Sequence, residues 1–300
     1  MTQITAEMVR DLRERTGVGM MECKKALVAA NGEMEQAIEA LRKSGQAKAV
    51  NKSSRIAAEG LVVAVAAADN KVAVIGEVNC ETDFVAREDR FKQFSADVVN
   101  CALKINSDEV TSLLQQNLDG KSVETTRLDL IAQLGENVAV RRIKRITAPE
   151  SGIAVVYLHG GDGVAARIGV AVALDTPNKE LAKDLAMHIA AMRPEYLREA
   201  DIPAERLAKE SEILLAQTQE TNVGKPADIL EKIVAGKISK FVKEVTLLGQ
   251  AFVKNPDQTV DALLKTNKTN ITAYARFEVG EGIEKKSTDF VSEVMSQAKG

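Results

Sequence analysis

Aromatic side chains are scarce in this chain. Its 300 residues contain no tryptophan, and the three aromatic residue types together make up only 3%. Hydrophobic residues nevertheless account for 45%, so the cores must consist mainly of alanine, valine, isoleucine and leucine. This composition favours helices packed on small sheets, and the length allows one large domain or two to three smaller ones.

Other absences disfavour whole classes of function. A net charge of -3 gives no sign of the clustered positive charge that nucleic-acid backbones require. No run approaches 18 uncharged apolar residues, and no phosphate-binding Gly-x-x-x-x-Gly-Lys-Ser/Thr motif occurs. The amino terminus resembles neither a signal peptide nor a transit peptide. We therefore expect a cytoplasmic protein that binds neither nucleic acid nor a membrane directly.

The cysteines and histidines give no pattern of a metal or cofactor site. Cys23, Cys80 and Cys101 lie far apart and form no Cys-x-x-Cys pair, so reduced, buried thiols are expected. His188 lies in a mostly apolar helical segment, which favours a packing role. His159 ends a strand-like run, where it is either a solvated loop residue or a contact residue. Neither histidine has metal-ligand spacing, so no metal and no cofactor are predicted.

Residues 1–45 predict three short helices. Thr5 can cap the first helix, which Gly17 ends, and Gly45 is predicted to end the third. The polar segment Lys48–Arg55 is interpreted as a linker to the rest of the chain.

A hairpin followed by a helix is predicted twice. Leu61–Ala67 and Lys71–Val78 alternate in polarity on either side of a turn signal. Ala154–His159 and Arg167–Leu174 repeat the pattern, and the next helix is predicted to begin near Pro177. We interpret the two units as a duplication within an α+β core.

The remaining segments complete the predicted organisation. Ala204–Glu220 and Pro226–Val245 predict an antiparallel helical hairpin, Tyr274–Val279 a strand, and Asp289–Gln297 a final helix. In chain order, the predicted divisions are an N-terminal module with its linker (1–55), a first core subdomain (56–149), the first part of a second (150–199), the helical hairpin (200–245), the second part of the second subdomain (246–279) and a C-terminal module (280–300).

The most unusual local feature is the corner after the second predicted strand. Asp83 and Phe84 stand side by side where that strand gives way to a helical pattern. This pair could push an apolar ring and a negative charge into a partner. The equivalent corner of the second unit has Pro177 instead, which is a structural residue. A second Thr-Asp-Phe, at Thr288–Phe290, is interpreted as an ordinary helix cap.

Taken together, several long strings resemble the bacterial elongation factor Ts family, in the family's order and over essentially the whole chain. The strings are Leu12–Gly17, Met20–Leu27, Glu77–Ala86, Leu134–Asn137, Met187–Ala191 and Arg276–Lys285. The chain departs from the family at Leu134, where many members have isoleucine, and in a longer loop at His159–Val164.

The resemblance implies an α+β fold with a three-helix module like a ubiquitin-associated domain, a two-subdomain core with antiparallel sheets, a protruding helical hairpin and a C-terminal helix. It also implies an exchange factor that releases GDP from elongation factor Tu without covalent chemistry, and some family members dimerise through the hairpin. The implied partner-binding residues are Thr82, Asp83, Phe84 and Val85 near the partner's Mg²⁺ site, His159 near its phosphate loop, and Leu12, Met20, Met21, Leu134 and Gly135 elsewhere.

Two alternatives remain open at this point. A hydrolytic enzyme would need Asp83, His159 and His188 to converge in one concave pocket. A purely structural helical-hairpin assembly protein would place Phe84 in its own core. Whether Phe84 protrudes therefore separates the second alternative from an exchange factor.

Overall fold

The computed structural model describes residues 4–161, 163–222 and 225–284, without the side chains of residues 46 and 47. The predicted helix at Asp289–Gln297 and the second Thr-Asp-Phe lie outside the described residues. Helices and antiparallel sheets are both present, which confirms the predicted α+β class. Within the described ranges, no helix has the length and apolar character needed to cross a membrane.

Helices and strands alternate irregularly along the chain. The helices are α1 (Ala6–Thr16), α2 (Met20–Ala29), α3 (Met34–Lys52), α4 (Asp83–Arg87), α5 (Asp89–Lys104), α6 (Val110–Leu114), α7 (Val123–Leu134), α8 (Lys179–Met192), α9 (Ala204–Thr221), α10 (Ala227–Val245) and α11 (Val260–Thr266). The strands are β1 (Glu59–Ala66), β2 (Val72–Cys80), β3 (Asn117–Leu118), β4 (Lys121–Ser122), β5 (Val138–Thr147), β6 (Ile153–His159), β7 (Ala165–Ala166), β8 (Ile168–Leu174), β9 (Ala251–Phe252), β10 (Asn255–Thr259) and β11 (Ile271–Glu278).

The first three helices form a small bundle, as predicted. The Thr5 hydroxyl accepts a hydrogen bond from the Met8 N–H, and Gly17 ends α1 in the left-handed conformation with φ of 69°. The core of the bundle consists of buried apolar residues from all three helices, namely Val9, Leu12, Cys23, Ala26, Leu27, Ala37 and Leu41.

The predicted end of the third helix and the linker after it are wrong. Helix α3 passes through Gly45 and continues to Lys52, because it packs against α7. A Cβ at Gly45 would lie 3.1 Å from the Cβ of Ala132, so glycine here permits close helix contact and does not end the helix. Ala49 is buried in the core of the first subdomain. Most of the segment interpreted as a linker is therefore part of a docked helix.

Two sheets stack face to face at the centre of the molecule. One has the order β5-β2-β1-β7 and the other the order β11-β8-β6. Small side chains such as Ala64 and Ala171 fill the space between them. On the outer faces, α5 and α7 cover the first sheet and α8 covers the second. Successive side chains of each strand point to opposite faces of its sheet, so each strand contributes to two cores.

Both predicted hairpins, each with a helix after it, are present. β1 pairs with β2 and β6 pairs with β8, in both cases antiparallel. The loop after β6 adds β7, whose Ala166 pairs with Val62 of β1, so the second unit contributes a strand to the first sheet. The helix predicted to begin near Pro177 is present as α8, which begins at Lys179 because the Asn178 side chain caps it.

A buried carboxylate ties the end of β11 to the first sheet. Glu77 of β2 is fully buried, and it accepts hydrogen bonds from Arg141 and Arg142 of β5. Its other oxygen accepts the Gly280 N–H at 2.8 Å, just beyond β11. Two arginines and further hydrogen-bond donors compensate the buried negative charge of Glu77, as a buried charge requires.

Helices α9 and α10 pack on each other as the predicted hairpin. The Lys237 ammonium donates to the Thr218 hydroxyl at 2.9 Å, and the Arg206 guanidinium lies over the Phe241 ring. At the base of the hairpin, the N–H groups of Glu195 and Tyr196 both donate to the Val245 carbonyl.

Candidate partner-binding site

The corner between β2 and α5 presents Phe84 to solvent. Helix α4 begins at Asp83, and the Thr82 hydroxyl caps it by accepting the Val85 N–H. Phe84 is 77% exposed, the highest value among the large hydrophobic residues of the described part of the chain. Phe91, only two helical turns further on, is fully buried. An apolar ring this exposed, at a fixed helix start, is available to a partner.

Charged side chains surround the ring. Asp83 is half-exposed and accepts a hydrogen bond from Arg87 at 2.8 Å, an exposed ion pair that contributes little stability. A shallow depression lies beside the ring and is lined by Glu59, Glu81, Thr82, Asp83, Phe84 and Arg167. Each carboxylate has an arginine partner, since Glu59 pairs with Arg167, Glu81 with Arg55 and Asp83 with Arg87. The surface beside the ring therefore carries charges of both signs in exposed pairs that a partner can displace at little cost.

His159 lies on the same side of the molecule. It is exposed at the end of β6 and pairs in the sheet with Ile168, next to Arg167 of the depression. The Tyr157 hydroxyl lies 3.0 Å from the Nδ1 atom of His159 and steadies the ring. An exposed position fits both alternatives for His159, a solvated residue and a contact residue, so its contact role stays a prediction.

A second exposed apolar surface is formed by the N-terminal module. Met20 is 47% exposed and Met21 is 67% exposed at the start of α2. Next to Met20, a further depression is lined mainly by charged side chains, namely Arg10, Arg13, Glu14 and Arg90, together with Gly17. Apolar side chains rimmed by positive charge suit a partner with an acidic, partly apolar surface.

Two predicted contact residues need correction. The side chain of Leu12 is fully buried in the core of the bundle, and that of Val85 is buried in the core of the first subdomain. Both side chains hold the exposed residues in place and cannot themselves reach a partner. Leu134 is half-buried against the same core as Val85, and the Gly135 carbonyl accepts a hydrogen bond from Lys52.

The three groups that a hydrolytic enzyme would need do not converge. His188 is fully buried, where its Nε2 lies 3.0 Å from the Gln250 Oε1 and its Nδ1 accepts the Val253 N–H. Burial lowers the pKa of His188, so the ring is neutral. Asp83 and His159 are at the surface, whereas His188 is a packing residue, as predicted. The exposure of Phe84 also contradicts the alternative that places this ring in the core.

The thiols and carboxylates form no metal site in the described ranges. All three cysteines are buried, and burial raises the pKa of Cys80 to about 12. No group of three or more histidine, cysteine, aspartate or glutamate side chains is placed to hold a metal ion among the described residues.

Sequence reasoning missed two groups that support the corner. Glu136, in the loop after α7, accepts two hydrogen bonds from Thr82, and Arg167 forms an ion pair with Glu59 at 2.8 Å. Glu136 lies in one of the strings that resemble the family, but nothing in the local sequence shows that it reaches the corner.

Comparison with known proteins shows the family of the chain. The family model described as "Elongation factor TS" matches residues 81–281. The chain is 54% identical over 297 residues to "Elongation factor Ts" of Thioalkalivibrio sulfidiphilus, which covers 99% of both chains. It is 50% identical to the protein of that name from Halorhodospira halophila, over 99% of both chains, and 47% identical to that from Legionella pneumophila, over 100% of both. The chain therefore belongs to the elongation factor Ts family of translation factors.

Proposed function

We propose that the chain binds elongation factor Tu in its GDP-bound form in the bacterial cytoplasm and promotes release of GDP, so that GTP can bind. It acts as an exchange factor and forms no covalent intermediate. The observation that carries this proposal is the exposed Phe84 ring beside Asp83 at the β2–α4 corner.

The corner supplies binding energy that is available only in the complex. Folding of the free chain buries little of the apolar surface of Phe84, because most of that surface stays in water. Full burial of such a ring against a partner contributes about 1.5–3 kcal/mol. If the partner can accept the ring only by rearranging its nucleotide site, this energy opposes GDP binding. By reciprocity, GDP must weaken the partner's hold on this chain by the same factor.

Asp83 adds an electrostatic contribution. Its carboxylate is held only by an exposed pair with Arg87, so it can turn toward a new cation at little cost. A carboxylate brought close to a bound Mg²⁺ attracts the ion away from its phosphate ligands. Asp83 and Phe84 therefore act on one element of the partner, the site where Mg²⁺ and phosphate meet.

The other exposed residues have separate tasks in this proposal. Met20 and Met21 anchor the N-terminal module on the partner's nucleotide-binding domain, and His159 presses on the side of the phosphate loop. The helical hairpin, on which Ile213, Leu215 and Ile229 are exposed, is the region through which two copies of the chain can dimerise. Sedimentation at increasing concentration tests the dimer.

Release of fluorescent GDP from elongation factor Tu, with and without the chain, tests the proposed function. We expect the chain to accelerate release strongly and to do so at concentrations far below those of the partner. Asp83→Asn should slow the stimulated release, whereas Asp184→Asn, which breaks an ion pair with Lys254 in the second subdomain, should not. If the chain leaves the rate of GDP release unchanged, the proposal is wrong.

A further inference from the structure

The short loop between α7 and β5 contacts the end of the N-terminal module. The Gly135 carbonyl accepts a hydrogen bond from the Lys52 ammonium at 2.7 Å. The Asn137 amide donates to the carbonyls of Ser53 at 3.2 Å and Arg55 at 2.7 Å. The last residue of α3 and the segment that follows it are thus held by this loop at three points.

The same loop also holds the Asp83–Phe84 corner. One carboxylate oxygen of Glu136 accepts the Thr82 N–H at 3.0 Å, and the other accepts the Thr82 hydroxyl at 2.8 Å. In return, Glu81 accepts the Asn137 N–H at 2.6 Å. Because the Thr82 hydroxyl gives its only proton to Glu136, its lone pairs are left for the Val85 N–H that it caps.

This support matters because α4 has only 5 residues. A helix of one turn is not stable alone in water, so its direction depends on its cap and on packing. Packing is supplied by Val85 and Ala86, which are buried. The cap is supplied by Thr82, whose orientation Glu136 fixes. The direction of the Phe84 ring therefore depends on a residue far away in sequence.

We propose that Glu136 and Asn137 are positioning residues for nucleotide exchange. Through them, the corner and the N-terminal module keep one fixed orientation, so both exposed surfaces reach the partner together. A preorganised surface avoids the entropy loss of ordering its side chains on binding. The inference rests on the proposed function and extends it to two residues that do not touch the partner's nucleotide site.

The free chain offers a direct test, because it contains no tryptophan. Phe84→Trp creates a single fluorescent reporter at the corner. We expect Glu136→Ala in this background to lower the fluorescence anisotropy of that tryptophan, since the cap is loosened. Glu39→Ala, which removes an exposed pair with Lys43 in the N-terminal module, should leave the anisotropy unchanged. An equal anisotropy in all three proteins would overturn the inference, whatever the exchange assay gives.

Limited proteolysis tests the contact between Asn137 and the end of the N-terminal module. Trypsin should cut the wild-type chain slowly after Arg55, because Asn137 holds the carbonyl groups of Ser53 and Arg55. We expect Asn137→Ala to speed cleavage after Arg55 by about tenfold, which corresponds to ~1.4 kcal/mol and lies within the range expected for two lost hydrogen bonds. Cleavage at an unchanged rate would contradict the role of Asn137.

The exchange assay separates positioning from simple destabilisation. With Phe84 intact, Glu136→Ala should lower the maximum rate of stimulated GDP release per folded molecule by about tenfold, the effect of losing ~1.4 kcal/mol. The rate for Glu136→Gln should lie between those of the wild type and Glu136→Ala, since the glutamine amide oxygen can still accept the Thr82 N–H. A lower melting temperature with a normal rate per folded molecule would show a structural role only and overturn the inference. If Phe84→Ala itself leaves exchange unchanged, it is the proposed function that fails.

Discussion

At the residue scale, burial assigns different roles to residues that look alike in the sequence. Phe84 and Phe91 are both near the start of a helix, yet one is exposed and the other is core. His159 and His188 differ in the same way, since His159 is exposed whereas His188 is buried with both ring nitrogens in hydrogen bonds with its own chain. These differences decide which residues can serve a partner and which can only serve stability.

His188 should make stability depend on pH. Burial lowers its pKa below the ordinary value of 6.5, so the folded chain resists protonation where the unfolded chain accepts a proton. The stabilisation is therefore complete above about pH 6.5 and is lost as the pH falls below it, by at most about 1.4 kcal/mol per pH unit.

Urea unfolding from about pH 7.5 to about pH 5.5 measures this effect. We expect the wild type to lose stability toward the acidic end and His188→Gln, although less stable overall, to show a flatter dependence. His159→Gln serves as the matched control, because that ring is exposed. Parallel pH profiles for wild type and His188→Gln would contradict the assignment of a buried neutral ring.

Glu77 should contribute far more to the stability of the fold than an exposed glutamate does. It is fully buried, and its removal leaves Arg141 and Arg142 without their shared partner. Breaking a buried pair costs about 3–5 kcal/mol, and partial solvation of the two arginines reduces this to roughly 2–3 kcal/mol. Glu77→Ala should therefore shift urea unfolding strongly, while Glu39→Ala hardly does. Similar midpoints for the two variants would contradict this.

At the element scale, the sequence predicts the periodic helices and strands well. It predicts poorly where tertiary contacts outweigh a local signal. The two hairpins and α1 end close to where turn glycines, asparagines and a threonine cap predict. Helix α3 does not end at Gly45, because contact with α7 outweighs the intrinsic cost of a glycine within a helix, roughly 0.5–1 kcal/mol. That contact joins residues distant in sequence, so no local pattern shows it.

The two glycines within helices should respond oppositely to substitution. A Cβ at Gly236 of α10 meets nothing within 4 Å, so Gly236→Ala should stabilise by about 0.5–1 kcal/mol. Gly45→Leu should destabilise by about 1–3 kcal/mol, because its side chain collides with Ala132. Thermal unfolding of both variants, with Gly236→Leu as the size-matched control, measures the difference. Equal effects of leucine at the two sites would show that α3 is not closely packed on α7.

On the scale of the whole molecule, the candidate site assembles from distant parts of the chain. The corner, His159 and the loop after α7 belong to different elements, and the resemblance to the family indicated them as residues but not as neighbours. The sequence also predicted Leu12 and Val85 as contacts, since a motif does not distinguish a residue that touches a partner from one that supports it. Exposure is a property of the folded chain and is decided by long-range packing.

The helical hairpin should be dispensable for the rest of the fold. Helices α9 and α10 contact mainly each other, and backbone hydrogen bonds from Glu195 and Tyr196 to Val245 hold the two ends of the hairpin together. Deleting residues 204–243 and joining the ends with a short linker should leave one cooperative thermal transition. A broad transition would show that the hairpin belongs to the core, while a change in sedimentation alone would concern only the dimer.

The most direct test of the central claim is Phe84→Ala, measured by melting and by GDP release from elongation factor Tu. Because the ring is 77% exposed in the free chain, melting should hardly change, whereas a buried phenylalanine would cost about 3–5 kcal/mol. Stimulated release should fall roughly tenfold to hundredfold, the equivalent of the 1.5–3 kcal/mol that the ring contributes on burial. A variant that melts far lower, yet stimulates release normally per folded molecule, would contradict the account.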